Sequence, residues 1–305
     1  MRVSRLARRL RFASLLNSLP NPFQPSVLPQ KHIKIDDEER QLDSDSDPYH
    51  HRPRLLAHMI KMILLGLLAL LLILLLPIYI IYKPPTWLIS FMTWKNPSVL
   101  FHVPLSPKNH VVALTIDDAP SSSTAQILDI LKTHHAHATF FIIGSQVSSY
   151  PDILQRIRDE GHELGNHAWR DEPSINLPIS ELKQQILDVE KMLPVNEDGR
   201  KWFRPGSGYF NGKMVELVKG LGYRMVLGDI FPFDPVVPYP GVNARHVLSM
   251  LKPGGVVILH DRRSYSAEQV ERALEGMRKK GWRAESLGGL LSIAEEERGK
   301  KDKAG

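Results

Sequence analysis

One uncharged segment limits what this chain can fold into more than any other feature. Residues 62–82 form a run of 21 positions without a charge, and most of them are Leu or Ile. As a helix, this run would be about 31 Å long, which matches the hydrocarbon thickness of one bilayer. A buried helix of a soluble protein is usually shorter and amphipathic, whereas every face is apolar here. The sequence therefore predicts one transmembrane helix over residues 62–82, with the lipid bilayer as its partner.

The charges before this segment predict its orientation. Residues 1–35 contain seven Lys or Arg and no acid, and residues 36–47 contain seven acids and one Arg. Such polar stretches bury too little apolar surface to fold alone, so residues 1–61 are expected to be a disordered tail. Basic flanks stay on the cytoplasmic side, which predicts a single-pass type II membrane protein with a lumenal or extracellular C-terminal domain. An Arg-rich start without acids is also typical of mitochondrial presequences, so mitochondrial import is an alternative.

Composition excludes several kinds of chemistry. The chain has no cysteine, so it contains no disulfide, thiolate ligand or cysteine nucleophile. Any catalytic metal must therefore be bound by His, Asp or Glu. The formal net charge of +6 reflects basic residues that cluster near the N-terminus rather than on a folded domain, so nucleic acid is not an expected partner.

The part of the chain after the uncharged segment divides into three regions. Residues 83–109 contain five prolines and are expected to form a stalk. Over residues 110–295, short β-branched runs alternate with helical patterns, which predicts about seven βα units around a parallel sheet. No Gly-x-Gly-x-x-Gly motif follows the first of these strands, so an α/β fold of the small (β/α) barrel type is favoured over an open dinucleotide-binding sheet. Residues 296–305 are expected to be a charged tail.

Polar side chains follow the predicted strands at their C-terminal ends, where the active sites of β/α folds assemble. They are Asp117 and Asp118, His167 and Asp171, Arg204, Asp229 and Asp234, and His260 and Asp261. Each group alone is more often structural, since a paired Asp can simply cap the next helix. Their joint placement favours an active site. Carboxylates with a histidine, in a chain without cysteine, point to a hydrolase that uses a divalent metal with an open position for water.

Five motifs, taken in this order along the chain, resemble the polysaccharide deacetylases of the NodB-homology type. They are Thr115-Ile116-Asp117-Asp118-Ala119-Pro120, Gly161-His162-Glu163-Leu164-Gly165-Asn166-His167, Phe203-Arg204-Pro205-Gly206-Ser207-Gly208, Asp234, and Ile258-Leu259-His260-Asp261. The resemblance covers roughly residues 110–290. It implies the distorted (β/α) barrel of that family, which agrees with the alternation of strand and helix patterns.

The resemblance also implies two proton-transfer roles. Asp117 would be the catalytic base, and Arg204 would hold its carboxylate in the ionised form. His260 would be the general acid, with Asp234 tuning its basicity.

A metal site is implied by the same motifs. Asp118 and His167 would be ligands, and the family's second histidine, four residues further on, is Asp171 here. Asp is a legitimate zinc ligand, and Glu172 is a substitute candidate. Zinc is the expected metal, with cobalt or manganese as alternatives. An Asp-His-Asp set is harder and more anionic than the usual one, so manganese or magnesium would compete better than in the usual site.

The substrate side of the site is also implied by the resemblance. The backbone N–H of Ser207 would help to stabilise the oxyanion of the tetrahedral intermediate, and Leu259 would line the pocket for the acetyl methyl group. The family's tryptophan after Asp234 is replaced by Pro235. A wall of the pocket is therefore expected from Phe231 or Phe233.

The function implied by the resemblance is that of a metal-dependent hydrolase. It would remove N-acetyl groups from a glycan that contains N-acetylglucosamine, such as chitin, and release acetate. A sugar O-acetyl esterase is one alternative, because the same tetrahedral intermediate serves esters. A catalytically inactive carbohydrate-binding protein of the same fold is another, favoured by the departures at Asp171 and Pro235.

Overall fold

The computed structural model describes residues 52–303, with side chains from Leu55 onward. The chain divides into two compact units between Leu65 and Gly66. The described part of the first unit is the beginning of one helix, and all the strands within residues 52–303 belong to the second unit. Residues 1–51 of the tail predicted over residues 1–61 lie outside the described residues.

The first helix, α1, runs from Arg52 to Tyr82. It begins ten residues before the predicted span, so residues 52–61 are helical rather than part of a tail. The segment Leu55–Tyr82 is the one helix in the described part of the chain that is long and apolar enough to cross a membrane, and it is exposed along its length.

All strands of the second unit belong to one parallel sheet. Its strand order is β1-β6-β5-β4-β3-β2-β7, and β8 also pairs with β2. The strands are β1 Val99–Leu100, β2 Val111–Ala119, β3 Thr139–Ile142, β4 Glu163–Asn166, β5 Trp202–Phe203, β6 Arg224–Val226, β7 Val256–His260 and β8 Arg283–Glu285. This sheet, covered by helices, confirms the predicted distorted (β/α) barrel.

Helices connect the strands and pack on the sheet. They are α2 Thr86–Lys95, α3 Thr124–Thr133, α4 Gly144–Val147, α5 Ile153–Asp159, α6 Ile179–Glu190, α7 Gly212–Gly220, α8 Pro240–Met250, α9 Ser266–Lys279 and α10 Leu287–Asp302. In α9, for example, Val270, Leu274 and Met277 are buried at a spacing of four and three residues, which is one face of a helix.

Strand β2 is the centre of the core. All nine of its residues are buried, as expected of a parallel strand covered on both faces. Its neighbours β3 and β7 contribute further buried residues such as Phe140 and Val257. Because β2 extends to Ala119, the Asp117-Asp118 pair lies inside the strand and is buried at the C-terminal edge of the sheet.

Two further predicted boundaries differ from the structure. The stalk predicted over residues 83–109 contains α2 and β1, and the buried residues Val99 and Phe101 pack in the core. Prolines interrupt this stretch, but the apolar residues between them are still buried by pairing with β6. The charged tail predicted over residues 296–305 continues α10 as far as Asp302, because Lys, Glu and Arg are good helix formers.

Candidate functional site

The first part of the site is an ion pair between Asp117 and Arg204. Arg204 follows β5, and its Nη1 donates to Asp117 Oδ1 over 2.5 Å and to Thr115 Oγ1 over 2.7 Å. The guanidinium also lies 4.2 Å from the centre of the Phe141 ring. Burial would raise the pKa of the Asp117 carboxyl, but Arg204, with the two histidines of the site, outweighs burial and lowers it. Asp117 is therefore ionised at neutral pH.

His260 lies beside this pair because β7 and β2 are in register at Asp117 and His260. Its Nδ1 donates to Asp234 Oδ1 over 3.0 Å, and its Nε2 lies 3.9 Å from Asp117 Oδ2. Burial would lower the pKa of His260, yet the hydrogen bond and charge of Asp234, with the charges of Asp117 and Asp118, raise it to about 9. His260 is thus protonated at neutral pH and can donate a proton from Nε2.

Asp234 is itself held by two further donors. The backbone N–H of His260 donates to Asp234 Oδ2 over 2.8 Å, and Gln269 Nε2 donates to the same oxygen over 2.6 Å. Gln269 lies on the buried face of α9. These bonds keep the Asp234 carboxylate in contact with the imidazole ring.

Asp118 and His167 form the second part of the site. The positive φ of Asp118, 65°, turns its side chain toward the end of β4, where its Oδ1 lies 3.7 Å from His167 Nε2. His167 Nδ1 donates to the carbonyl of Arg204 over 2.7 Å, so Nε2 is the ring nitrogen with a free lone pair. Burial, with the charges of Asp171 and Asp117, raises the pKa of Asp118 against the opposing effect of the histidines. A carboxylate and an imidazole nitrogen so placed suit a divalent cation.

The third predicted ligand, Asp171, is placed differently. Its side chain is 48% exposed, and its Oδ2 accepts a hydrogen bond of 2.9 Å from Arg262 Nη1. The alternative ligand Glu172 accepts from Gln185 on α6. Within residues 52–303, no three His, Asp or Glu side chains are close enough together to hold a metal. The positions of Asp118 and His167 therefore suit a cation, whereas the carboxylate of Asp171 is paired with Arg262.

One cavity of about 330 Å³ brings most of these side chains together. It is lined by Asp117, Asp118, His167, Asp171, Arg204, Pro205, Ser207, Gly208, Leu227, Phe231, Pro235, Ile258, His260 and Arg263. The backbone at Ser207 has φ 65°, in the loop that follows β5. The predicted aromatic wall is provided by Phe231, whose ring lies 5.7 Å from that of His260.

The prediction for Leu259 is wrong. Leu259 is 1% exposed and packs in the core, whereas Ile258 and Leu227 line the cavity. Side chains alternate along a strand, so in β7 Ile258 shares a face with His260 and Leu259 points the other way.

Two other acidic groups that follow strands lie outside the cavity lining. Asp229 pairs with His102 and with Lys252, each at 2.9 Å. Asp261 accepts hydrogen bonds from the hydroxyls of Ser121 and Thr124. Both carboxylates therefore hold loops in place.

Four residues that support the site were missed in the sequence. All four contact predicted site residues: Thr115 belongs to the first motif but had no role assigned to it, and Phe141, Gln269 and Arg262 lie outside the motifs. Thr115 could have been found, since it lies two positions before Asp117 and so shares its face of the strand. Arg262 could not, because its partner Asp171 is 91 residues away in the chain.

Comparisons with known proteins agree with this geometry. The sequence pattern of the polysaccharide deacetylase family matches residues 105–226. Peptidoglycan-N-acetylglucosamine deacetylase of Bacillus cereus is 32% identical over 213 residues, which cover 66% of this chain and 93% of that protein. Peptidoglycan-N-acetylmuramic acid deacetylase PdaC of Bacillus subtilis is 29% identical over 198 residues, covering 64% of this chain and 42% of that protein.

Solved structures are similar as well. The structure of peptidoglycan deacetylase PdaC superposes with a TM-score of 0.59 at 29% identity, covering 66% of this chain and 98% of that one. A CE4 family pseudoenzyme from Bacillus anthracis superposes with a TM-score of 0.58 at 25% identity, covering 65% of this chain and 70% of that one.

Proposed function

Because the chain belongs to the polysaccharide deacetylase family, we propose that it hydrolyses the N-acetyl group of an amino sugar within a glycan and releases acetate. The observation that carries this proposal is the pairing of Asp117 and His260. Their facing atoms are 3.9 Å apart in one cavity, and the pKa of the carboxyl is lowered while that of the imidazole is raised. A base and an acid of this kind are what amide hydrolysis requires.

Asp117 is proposed as the general base. Arg204 occupies Oδ1, so Oδ2 is the oxygen that faces the cavity side where His260 lies. An attacking water beside Oδ2 would lose its proton to this carboxylate. The buried guanidinium keeps Asp117 ionised before each turnover.

His260 is proposed as the general acid. Its Nδ1–H is committed to Asp234, which leaves Nε2–H to protonate the departing amine. The same proton transfer matters less for an ester, because an alkoxide is a better leaving group than an amide anion. Detection of a free amine in the product therefore separates this proposal from a sugar O-acetyl esterase.

Asp118 and His167 are proposed to hold a divalent metal, zinc in preference to cobalt or manganese. When bound there, the metal would act as a Lewis acid toward the amide carbonyl. The backbone N–H of Ser207 is proposed to donate to the oxyanion from the other side of the cavity.

The substrate proposed is a peptidoglycan-type glycan rather than chitin. The relatives with the matching motifs are named for N-acetylglucosamine or N-acetylmuramic acid in peptidoglycan. Both sugars carry the acetamido group that the proposed chemistry needs.

One observation favours a second candidate, a catalytically inactive carbohydrate-binding protein. Asp171 is paired with Arg262, and one of the similar structures is described as a pseudoenzyme. Against it, the buried contacts of Asp117 with Arg204 and of His260 with Asp234 are not needed to bind a sugar.

The test uses the full chain in lipid nanodiscs, loaded with zinc, cobalt or manganese in turn. We expect peptidoglycan fragments to give acetate and a free amine in equal amounts, with less release from chitin-type N-acetylglucosamine oligomers, and we expect Asp117→Asn to reduce release by up to about 10⁴-fold. Binding of the oligomers without acetate release under all three metals would favour the inactive protein instead.

We also propose that α1 spans a membrane with the second unit on the lumenal or extracellular side. The basic residues before the span support this orientation. Protease added to sealed microsomes should remove the N-terminal tail and spare residues 110–290. Digestion of the domain with protection of the tail would reverse the orientation, and import into isolated mitochondria would replace the secretory location.

A further inference from the structure

Helix α2 presents an aromatic face that no part of the described chain covers. Trp87, Phe91 and Trp94 are spaced four and three residues apart, which places them on one side of the helix, and they are 64%, 48% and 77% exposed. Ile89, on the other side, is 8% exposed and packs with the core residues near β1 and β6. The helix is thus attached to the domain by one face and shows large aromatic side chains on the opposite one.

The position of α2 in the chain indicates what this face meets. The apolar helix α1 ends at Tyr82, and α2 begins at Thr86. The three residues between them span at most about 14 Å from Tyr82 to Thr86, at roughly 3.3–3.6 Å per residue. Trp and Tyr side chains are enriched where membrane helices leave the hydrocarbon. Lys83 and Lys95 flank the aromatic residues of α2, and Lys can lay its stem along apolar surface with its charge in water.

The end of α1 also contacts the wall of the catalytic cavity. The ring of Tyr82 lies 4.1 Å from that of His246 and 5.9 Å from that of Phe233, and Lys83 Nζ donates to Ser249 Oγ over 3.1 Å. The Phe233 ring lies 4.6 Å from that of Phe231, which lines the cavity beside His260. A series of ring contacts therefore joins the last residue of α1 to the general acid.

We propose that α2 is an interfacial helix whose aromatic face is inserted at the headgroup level of the bilayer, and that it holds the catalytic cavity at the membrane surface. This inference rests on the proposal that α1 spans that bilayer. An interfacial helix of this kind buries its apolar face about 5–10 Å into the boundary between headgroups and acyl chains. The partner of this surface is lipid rather than protein, because the face begins within one linker of a membrane-spanning helix.

Spin labels on single cysteines test the proposal, since the chain has no cysteine of its own. The full chain is placed in phosphatidylcholine nanodiscs with a label at Ser90, which is exposed on the aromatic face. Labels at Leu72, inside α1, and at Lys183, exposed on α6, are the controls. Relative accessibility to oxygen and to a water-soluble nickel complex reports the depth of each label.

We expect Leu72→Cys to be deep in lipid, Lys183→Cys to be in water, and Ser90→Cys to lie at the interface. Replacing Trp87, Phe91 and Trp94 together by Ser should move the Ser90 label into water, without changing the depth of the Leu72 label or acetate release from soluble oligomers. Circular dichroism checks that this variant is folded.

Three other outcomes would overturn the membrane span or the interfacial helix. A Leu72 label in water would overturn the membrane span itself. A Leu72 label in lipid with a Ser90 label in water would overturn the interfacial helix alone. A Ser90 label shielded from oxygen and from nickel alike would show a protein partner, such as a second copy of the chain, and would also overturn the inference.

Discussion

The two parts of the catalytic cavity are held in different ways. Asp117 and His260 have protein partners at 3.0 Å or less, and those partners are buried and themselves hydrogen-bonded. Asp118 Oδ1 and His167 Nε2 are 3.7 Å apart, and the half-exposed carboxylate of Asp171 is paired with Arg262. The groups proposed to move protons are thus held in place by buried partners, while one of the three groups predicted to bind a metal is turned to a different partner. The pKa shifts agree with this difference, because the pKa of Asp117 is lowered and the pKa of Asp118 is raised.

The variant Asp117→Asn tests most strongly whether the two parts of the cavity are independent of each other. Because the base belongs to the part that buried partners hold in place, we expect acetate release from amides and esters to fall by up to about 10⁴-fold. Metal content, measured by elemental analysis of the purified full chain, should be unchanged. Loss of the metal in this variant would show that the two parts are not separate.

His260→Ala should have a smaller and more selective effect. Amide hydrolysis is expected to fall by about 10²- to 10³-fold, because the departing amine needs a proton. An activated aryl acetate needs little protonation and should remain a substrate. Equal losses for the amide and the activated ester, measured side by side, would contradict the assignment of His260 as the acid.

The metal part is tested by His167→Ala and Asp171→His. The first variant should lose the metal, since Asp118 alone remains in place. The second should bind zinc roughly tenfold more tightly, because an imidazole does not pair with Arg262 as a carboxylate does. Calorimetric titration of the metal-free protein measures both, and Arg262→Gln is the matched control, expected to release Asp171 and also tighten binding. Weaker binding by Arg262→Gln would show that Arg262 orients Asp171 for the metal.

The smallest expected effect is a shift of the pH profile. The raised pKa of His260, about 9, means that its protonated form is lost as the pH rises through that value, so kcat/KM for an amide should decline there. The same group stabilises the fold at pH values below its unfolded pKa and ceases to do so above about pH 9. Asp234→Asn removes the main interaction that raises the pKa, so the alkaline decline should begin at lower pH. An unchanged decline would assign it to another group.

The placement of Asp117 and His260 together was predictable because both residues lie at strand ends. Asp117 and His260 end neighbouring parallel strands, and such ends meet at one edge of a sheet. The arrangement of Asp171 was not predictable, since its partner Arg262 comes near it only in the folded chain. A motif indicates which sequence position corresponds to a metal ligand. It does not show which other side chain forms an ion pair with the residue at that position.

Two wrong predictions had local causes. The prolines of residues 83–109 mark interruptions in secondary structure, but they do not show that Val99 and Phe101 would be buried. Leu259 was placed in the cavity by resemblance, although alternation along β7 assigns it to the face opposite His260. In both regions, the pattern of apolar residues indicates which side chains are buried more reliably than the motif or the number of prolines does.

The three-residue connection between α1 and α2 limits where the proposed hydrolysis can take place. If α1 is anchored, the cavity diffuses only in the plane of the membrane, because α2 begins within about 14 Å of the end of α1 and the domain cannot leave the surface. Encounter with substrate then depends on the surface density of glycan near the bilayer rather than on its concentration in the surrounding volume. If the proposed activity and anchor hold, only the glycan next to the membrane would be deacetylated, and the layers beyond the reach of the domain from the end of α1 would remain acetylated.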